Sequence, residues 1–412
     1  MKDISEKVRD LYECRQDFPA ISRTDQGIQL AYFDGPGGTQ VPNQVIEAIV
    51  DYYSRCNANT HGQFVTSRES DHCILEARKA VATFLDAGSD REISFGANMT
   101  TLNILLSRAI GRGLVRDDEV LITQLDHEAN RGPWLRLREM GAKVKEVSLR
   151  DDGTLDYEDL TAKISSRTRV VAIGWASNAI GTVNDLARVR EITSRVGAWL
   201  VVDAVHYAPH FPISVTSTGV DFLLCSAYKI YGPHVGILYS REGLLGELET
   251  DRLNTQDPSP PYRIETGTLN HAALVGVRAA IEYIAALGSG GTQRECIDSA
   301  MQRIAGHEHD LASHLHTGLQ QISGVRVYGP CFDSERRAPT ISFVISGRSP
   351  EEIARRLGEK GILVWDGDFY AARPAEILGV ADTGGWVRVG MSLYNTRQEV
   401  ERLLEAVSVL AA

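Results

Sequence analysis

The sequence predicts an α/β protein: a mostly parallel sheet covered by helices on both faces, followed by a smaller α+β unit. Three observations carry this. From Ile93 to Tyr239, short apolar runs alternate with stretches of helical periodicity. Two of the runs, Trp199-Leu200-Val201-Val202 and Phe222-Leu223-Leu224-Cys225, are apolar at every position, as in strands buried on both faces. The rhythm breaks after Gly236-Ile237-Leu238-Tyr239, and the rest of the chain mixes long helical segments with isolated strands.

Residues 1–17 read as an amphipathic helix with Val8, Leu11 and Tyr12 on one side. The turn-rich segment Tyr32-Phe33-Asp34-Gly35-Pro36-Gly37-Gly38-Thr39 reads, on its glycines alone, as a plain connection. Helices are expected over 42–54, where Pro42 suits a first turn, and over 68–85. The alternation then gives strands at 93–95, 120–122, 144–149, 170–173, 199–202 and 222–225. Between them lie helices at 100–110, 133–140, 157–164 and 186–196. A helix over 272–287 leads to Gly288-Ser289-Gly290-Gly291, a candidate linker. Beyond it are a long helix (296–323), strands at 325–328, 340–345 and 387–392, and helices at 350–360 and 397–409. The expected division is an N-terminal arm (1–30), a large domain (31–287) and a small C-terminal domain (288–412).

With 43% hydrophobic residues the chain can bury a large core. A net charge of −11 argues against nucleic acid and anionic membranes as partners. The charged start MKDISEKVRDLYECRQ lacks the apolar stretch of a signal peptide, and no apolar run spans a bilayer. Six cysteines (14, 56, 73, 225, 296, 331) without a CxxC pair indicate reduced thiols in a cytoplasm and no metal site.

Candidate chemistry gathers at strand ends, where open α/β sheets bind ligands. The run Trp199-Leu200-Val201-Val202 ends in Asp203; Phe222-Leu223-Leu224-Cys225 ends in Ser226-Ala227-Tyr228-Lys229. A lone carboxylate and a lone amine at neighbouring strand ends suit pyridoxal phosphate, whose ring nitrogen needs an acid and whose aldehyde needs a lysine. A buried Asp–Lys ion pair is the other reading. Asn98, Met99 and Thr100 open a helix after the turn at Gly96, which suits either a phosphate cradle or a simple N-cap. His127 follows a strand and offers a ring for stacking, though a lone histidine is more often on the surface. Asn178 also follows a strand and suits a contact to a ring oxygen; His206 lies three residues past Asp203.

HEAN-x-x-PW (127–134), ASN (176–178), VDAVH (202–206), CSAYK (225–229), ETGT (265–268) and RVGMSLYNT (388–396) occur in that order. In these motifs the chain resembles the class V aminotransferase superfamily, most closely its cysteine desulfurase-like branch, from about Tyr32 to Val409. The resemblance implies a fold type I pyridoxal-phosphate enzyme with a seven-stranded sheet, acting on a small amino acid. It implies that Lys229 forms the Schiff base and carries the Cα proton, that Asp203 pairs with the ring nitrogen, and that His127 stacks on the ring. His206 and Asn178 would contact the ring hydroxyl, and Asn98, Met99, Thr100 and Ser226 the phosphate. Thr268 would reach the cofactor of a second subunit, making a homodimer. Arg388 would clamp the substrate carboxylate, with Tyr370 and Asn59 also on the substrate side.

The chain departs from this family where sulfur chemistry is concerned. The family's catalytic cysteine falls near Tyr370, and no cysteine follows Cys331, which reads as a non-catalytic loop thiol. The histidine usual before the lysine is Tyr228, and an arginine often found near Trp365 is missing. The expectation is Cα deprotonation with loss of a β-substituent and no protein persulfide; transamination or epimerisation is the runner-up. A cofactor-binding regulatory protein is the non-enzyme alternative. A nucleotide-binding reading fails because no GxGxxG or GxxxxGK[ST] follows a strand.

Overall fold

Leu200, Val201 and Val202 are fully buried, as are Phe222, Leu223, Leu224 and Cys225. Successive strand side chains point to opposite faces, so such runs need cover on both sides. The computed structural model, which describes residues 9–333 and 336–412, supplies it. Leu200, Val202, Leu223 and Cys225 join one core, with Val277 and Ile281 from the helix His271–Ala286. Val201, Phe222 and Leu224 join the opposite core, against Leu102 and Leu106 of the helix Met99–Gly113 and against Trp134. Each such side chain contributes about 1.5–3 kcal/mol on burial.

The central sheet has seven strands: β1 (Ile93–Gly96), β2 (Glu119–Thr123), β3 (Lys143–Val147), β4 (Thr168–Gly174), β5 (Trp199–Asp203), β6 (Phe222–Ser226) and β7 (Gly236–Ser240). Their order is β1-β7-β6-β5-β4-β2-β3. All neighbours are parallel except β7, which runs antiparallel to β1 and β6. The second unit has an antiparallel sheet of β8 (Val325–Tyr328), β9 (Thr340–Ile345), β10 (Trp365–Gly367) and β11 (Trp386–Gly390), ordered β8-β9-β11-β10. The helix Gln293–Gln321 serves both cores: Ile297, Met301 and Ile304 pack in the large one, Leu311, Leu315 and Leu319 in the small one. Among the described residues no helix is long and apolar enough to cross a membrane.

The differences from expectation have local causes. Among the described residues the N-terminal segment is helical over Leu11–Cys14, capped by Asp10 and followed by 3-10 turns. Leu11 and Cys14 are the buried residues of that helix, whereas Tyr12 is exposed; Val8 lies outside the described residues. The helix expected from Pro133 begins at Glu128 and contains the proline. Pro133 cannot donate to the Ala129 carbonyl, but the Asn103 amide does, at 2.9 Å, which removes most of the usual penalty. The glycines at 288–291 join the helices His271–Ala286 and Gln293–Gln321 at close quarters. A Cβ on Gly288 would stand 2.0 Å from the Cys296 carbonyl oxygen. Strand β10 and the two-residue parallel pair of Ala31–Tyr32 with Ile362–Leu363 are too short to show a period.

Candidate active site

The carboxyl ends of β2, β4, β5 and β6 open into one cavity of about 1330 Å³, closed from the other side by the second unit. Asp203 is the last residue of β5, and Lys229 lies three residues past the end of β6. Both are buried. They do not form an ion pair: Lys229 Nζ donates to the Pro36 carbonyl, and Asp203 Oδ1 accepts the Val205 N–H at 2.9 Å. The glycine-rich segment is therefore no plain connection. It brings a carbonyl to the lysine, and Pro36 packs so closely on β11 that a Cβ on Gly390 would stand 2.1 Å from its ring.

Burial dominates the electrostatics. It lowers Lys229 to about 7, with Arg388 adding repulsion and Asp203 and Asp34 opposing it. It raises Asp203 to about 6 against the Val205 hydrogen bond and the attraction of Lys229. It lowers His127 to about 4, helped by Lys229 and Arg388. His127 is thus a neutral ring near pH 7, and its Nδ1 accepts the Ala129 N–H at 3.0 Å as the helix cap. The lone-histidine reading as a surface residue fails, because its side chain lines the cavity.

Arg388 comes from the middle of β11, opposite Ser342 of β9. Burial lowers it to about 9. Its Nη1 donates to the Asn178 carbonyl at 3.0 Å, and its guanidinium lies 4.1 Å above the Phe369 ring. Its Nε has no partner among the described residues; neither do Asn178 Oδ1 and His206 Nδ1. All three side chains line the cavity.

Asn98, Met99 and Thr100 stand at the cavity's far end, where Asn98 caps the helix by accepting the Thr101 N–H at 2.8 Å. The cap and the open helix terminus coexist, so both readings of this junction hold in geometry. Ser226 and Tyr370 line the cavity too. Asn59 and Thr268 do not; both are exposed on loops of the same chain.

Some residues of the site went unassigned from the sequence. Asp126 is buried on the cavity wall, accepts the Gly174 N–H at 2.8 Å, and is raised to about 7 by burial and by Asp203. Asn130 donates to it at 3.2 Å from the next turn, a spacing visible in D-H-x-x-N. Phe369 and Trp365 had no sequence signal, because only the fold of 365–370 turns them to the cavity. Phe369 and Tyr370 have φ of 56° and 58°, a left-handed pair. Their carbonyls accept from Asn178 Nδ2 at 2.9 Å and from the Glu128 N–H at 2.7 Å, which pins the loop to the large unit.

These residues fit pyridoxal phosphate. Such a group, with a ring nitrogen, ring oxygen, aldehyde and phosphate, would find an acid in Asp203, unpartnered atoms on His206 and Asn178, an amine in Lys229 and a helix N-terminus among the lining residues. Among the described residues no cluster of three or more His, Cys, Asp or Glu is arranged to hold a metal ion.

Comparison with known proteins agrees. The chain is 32% identical over 411 residues to a probable cysteine desulfurase of Halalkalibacterium halodurans, covering 96% of this chain and 97% of that one. It is 32% identical over 406 residues to the cysteine desulfurase of Escherichia coli K12, covering 95% of each. The apo structure of a cysteine desulfurase from Thermococcus onnurineus superposes with a TM-score of 0.88 at 30% identity over 97% of both chains. The E. coli cysteine desulfurase CsdA gives 0.84 at 27% identity over 98% of both. Residues 31–403 match the family model for class-V aminotransferases, and the chain belongs to that family, as a pyridoxal-phosphate enzyme of its cysteine desulfurase-like branch.

Proposed function

We propose that this enzyme removes a β-substituent (sulfide, sulfinate or selenide) from a small amino acid without passing it to a protein thiol. One observation carries the reading: no cysteine is among the residues lining the cavity. At the loop position where the family resemblance expects the thiol stands Tyr370, its ring 5.6 Å from that of His127. Cys225 is buried in β6, where burial pushes its thiol up to about 12, far from a reactive thiolate. Cys331 is exposed on a loop outside the cavity.

Bound pyridoxal phosphate supplies a Schiff base to the substrate amine and a ring that draws electrons from Cα. The chain's own residues do the rest. Arg388 binds the substrate carboxylate with a planar fork. Lys229 Nζ takes the Cα proton; a group near 7 is a free amine at little cost around neutrality. Asp203 keeps a proton on the ring nitrogen, and His127 offers a neutral face to the ring. His206 and Asn178 contact the ring oxygen, and Asn98, Met99, Thr100 and Ser226 hold the phosphate. The working unit is a homodimer, in which Thr268 reaches the phosphate site of the neighbouring copy and Asn59 acts on the substrate side.

The test is incubation with cysteine, cysteine sulfinate and selenocysteine, following alanine, pyruvate and the released substituent. The expected result is pyruvate and ammonia with released sulfide or selenide from cysteine or selenocysteine, and alanine with sulfite from cysteine sulfinate, at rates unaffected by prior alkylation of thiols and with no sulfur retained on the protein by mass spectrometry. Sulfur bound to the protein sinks the reading. Conversion of the cofactor to its amine form would establish transamination instead, and deuterium uptake at Cα without net product an epimerase. Bound cofactor with no turnover on any amino acid would favour a regulatory role.

A further inference from the structure

The helix Gln293–Gln321 carries a fully buried carboxylate, Glu308. Its Oε2 lies 2.8 Å from His210 Nδ1, and its Oε1 has no partner among the described residues. The rings of His210 and His206 meet edge to face, with centroids 5.2 Å apart. His206 lines the cavity, and its Nε2 lies 2.9 Å from the Thr340 hydroxyl at the start of β9. A buried carboxylate costs several kcal/mol unless paired, so a Glu–His pair set behind a cavity histidine calls for a reason.

We propose that Glu308 and His210 are positioning residues for His206, holding it as a hydrogen-bond donor from Nδ1 to the ring oxygen of the cofactor. Glu308 accepts the Nδ1 proton of His210. The carboxylate-anchored imidazole then places negative potential beside His206 and favours its Nδ1–H form. With Nδ1 protonated, the Thr340 hydroxyl is the donor in its 2.9 Å contact with Nε2, and Nδ1 is the one polar atom of His206 that the protein does not engage among the described residues. The other titratable groups around Glu308 are His307, Tyr231 and Tyr394; those facing His206 are Lys229, Arg388 and His127. Of these, Tyr231, Tyr394 and His307 feel the Glu308 charge directly, so the His206→Ala background is the control that isolates the route through His206. The inference rests on the contact proposed above between His206 and the ring oxygen.

The experiment is a pH titration of the visible band of the bound cofactor in the holoenzyme. A donor to the ring oxygen favours its anionic form, so Glu308→Gln and His210→Asn are each expected to move the midpoint upward by about half a unit or more. In a His206→Ala background the same substitutions are expected to move nothing further. If His206→Ala alone leaves the midpoint in place, the underlying ring-oxygen contact is wrong. If it moves the midpoint while the other two do not, or if they act equally without His206, the positioning role is overturned. A second measurement needs no variant: nitrogen-15 histidine spectra of the cofactor-free protein should show His206 and His210 both protonated at Nδ1. A proton on Nε2 of His206 refutes the proposal.

Discussion

Arg388→Met separates what the guanidinium does for the substrate from what it costs the fold. Arg388 is buried without a carboxylate at ion-pair distance among the described residues, and burial lowers it from 12.5 to about 9. A cation whose folded value lies below its unfolded one is disfavoured by folding. The cost is fully present below about pH 9 and fades as pH rises toward 12.5. Even a buried ion pair is often replaced by apolar chains of similar volume at no cost or with a gain of about 1–4 kcal/mol, and an unpaired cation has less attraction to lose. Lost stacking on Phe369 returns about 1–2 kcal/mol of that. The cofactor-free variant should therefore be as stable as the parent or more so at pH 7.5, by urea denaturation. Its kcat/KM on the amino acid should fall by about 10²–10³-fold, the ~3–4 kcal/mol of a bidentate carboxylate pair. An amine substrate lacking the carboxylate should show no such loss. The reasoning is refuted if the variant is destabilised by more than about 1 kcal/mol. It is refuted equally if both substrates lose activity alike.

The same geometry yields three further outcomes. Asp203 is raised from 3.8 to about 6 by burial, so its charge destabilises the cofactor-free protein above about pH 6. Asp203→Asn should then be more stable than the parent by ~1–3 kcal/mol at pH 7.5, a gap that closes toward pH 4, while turnover drops ~10²-fold or more. Lys229 near 7 is a free amine above that pH. Uptake of pyridoxal phosphate by the cofactor-free protein should accelerate about tenfold per pH unit below 7 and level off above it, in stopped-flow absorbance; an inflection near 10 would contradict this. Finally, Arg78 Nη1 lies 2.7 Å from Glu265 Oε1, both side chains buried, and Glu265 also accepts the Phe95 N–H at 2.7 Å. Arg78→Met strands that carboxylate and should cost about 3–5 kcal/mol in chemical denaturation.

Much of the site was legible because its groups sit at strand ends, and strand ends are where apolar runs stop. Asp203 and Lys229 could be found that way, since each ends a run with no polar residue inside it. Arg388 could not be found by period alone: it interrupts a short strand between Val387 and Val389, and only the motif resemblance singled it out. Pro36, Phe369 and Trp365 reach the cavity through tertiary contacts between segments hundreds of residues apart, which no local pattern encodes. The role of Asn103 under Pro133 is of the same kind: a side chain on one helix supplies the bond that another helix lacks. The N-terminal arm failed for the opposite reason. Among the described residues the helical period yields one turn, Leu11–Cys14, which buries Leu11 and Cys14 before 3-10 turns take over at Arg15 and Pro19.

The buried charges of this chain show how structure and function part. Arg78 and Glu265 approach through two nitrogens and two oxygens, at 2.7 and 3.1 Å, and each satisfies the other. Around the cavity, Arg388, Lys229 and Asp203 are as buried, yet none pairs with another. A direct Lys229–Asp203 pair would hold the amine protonated and cover the acid that the ring nitrogen needs. Keeping them apart costs stability at each group, which is why burial drives every one of their shifts. On the proposed reading that cost would be recovered when a protonated ring meets Asp203 and a substrate carboxylate meets Arg388. Ligand binding should then stabilise this fold by more than new contact area alone provides.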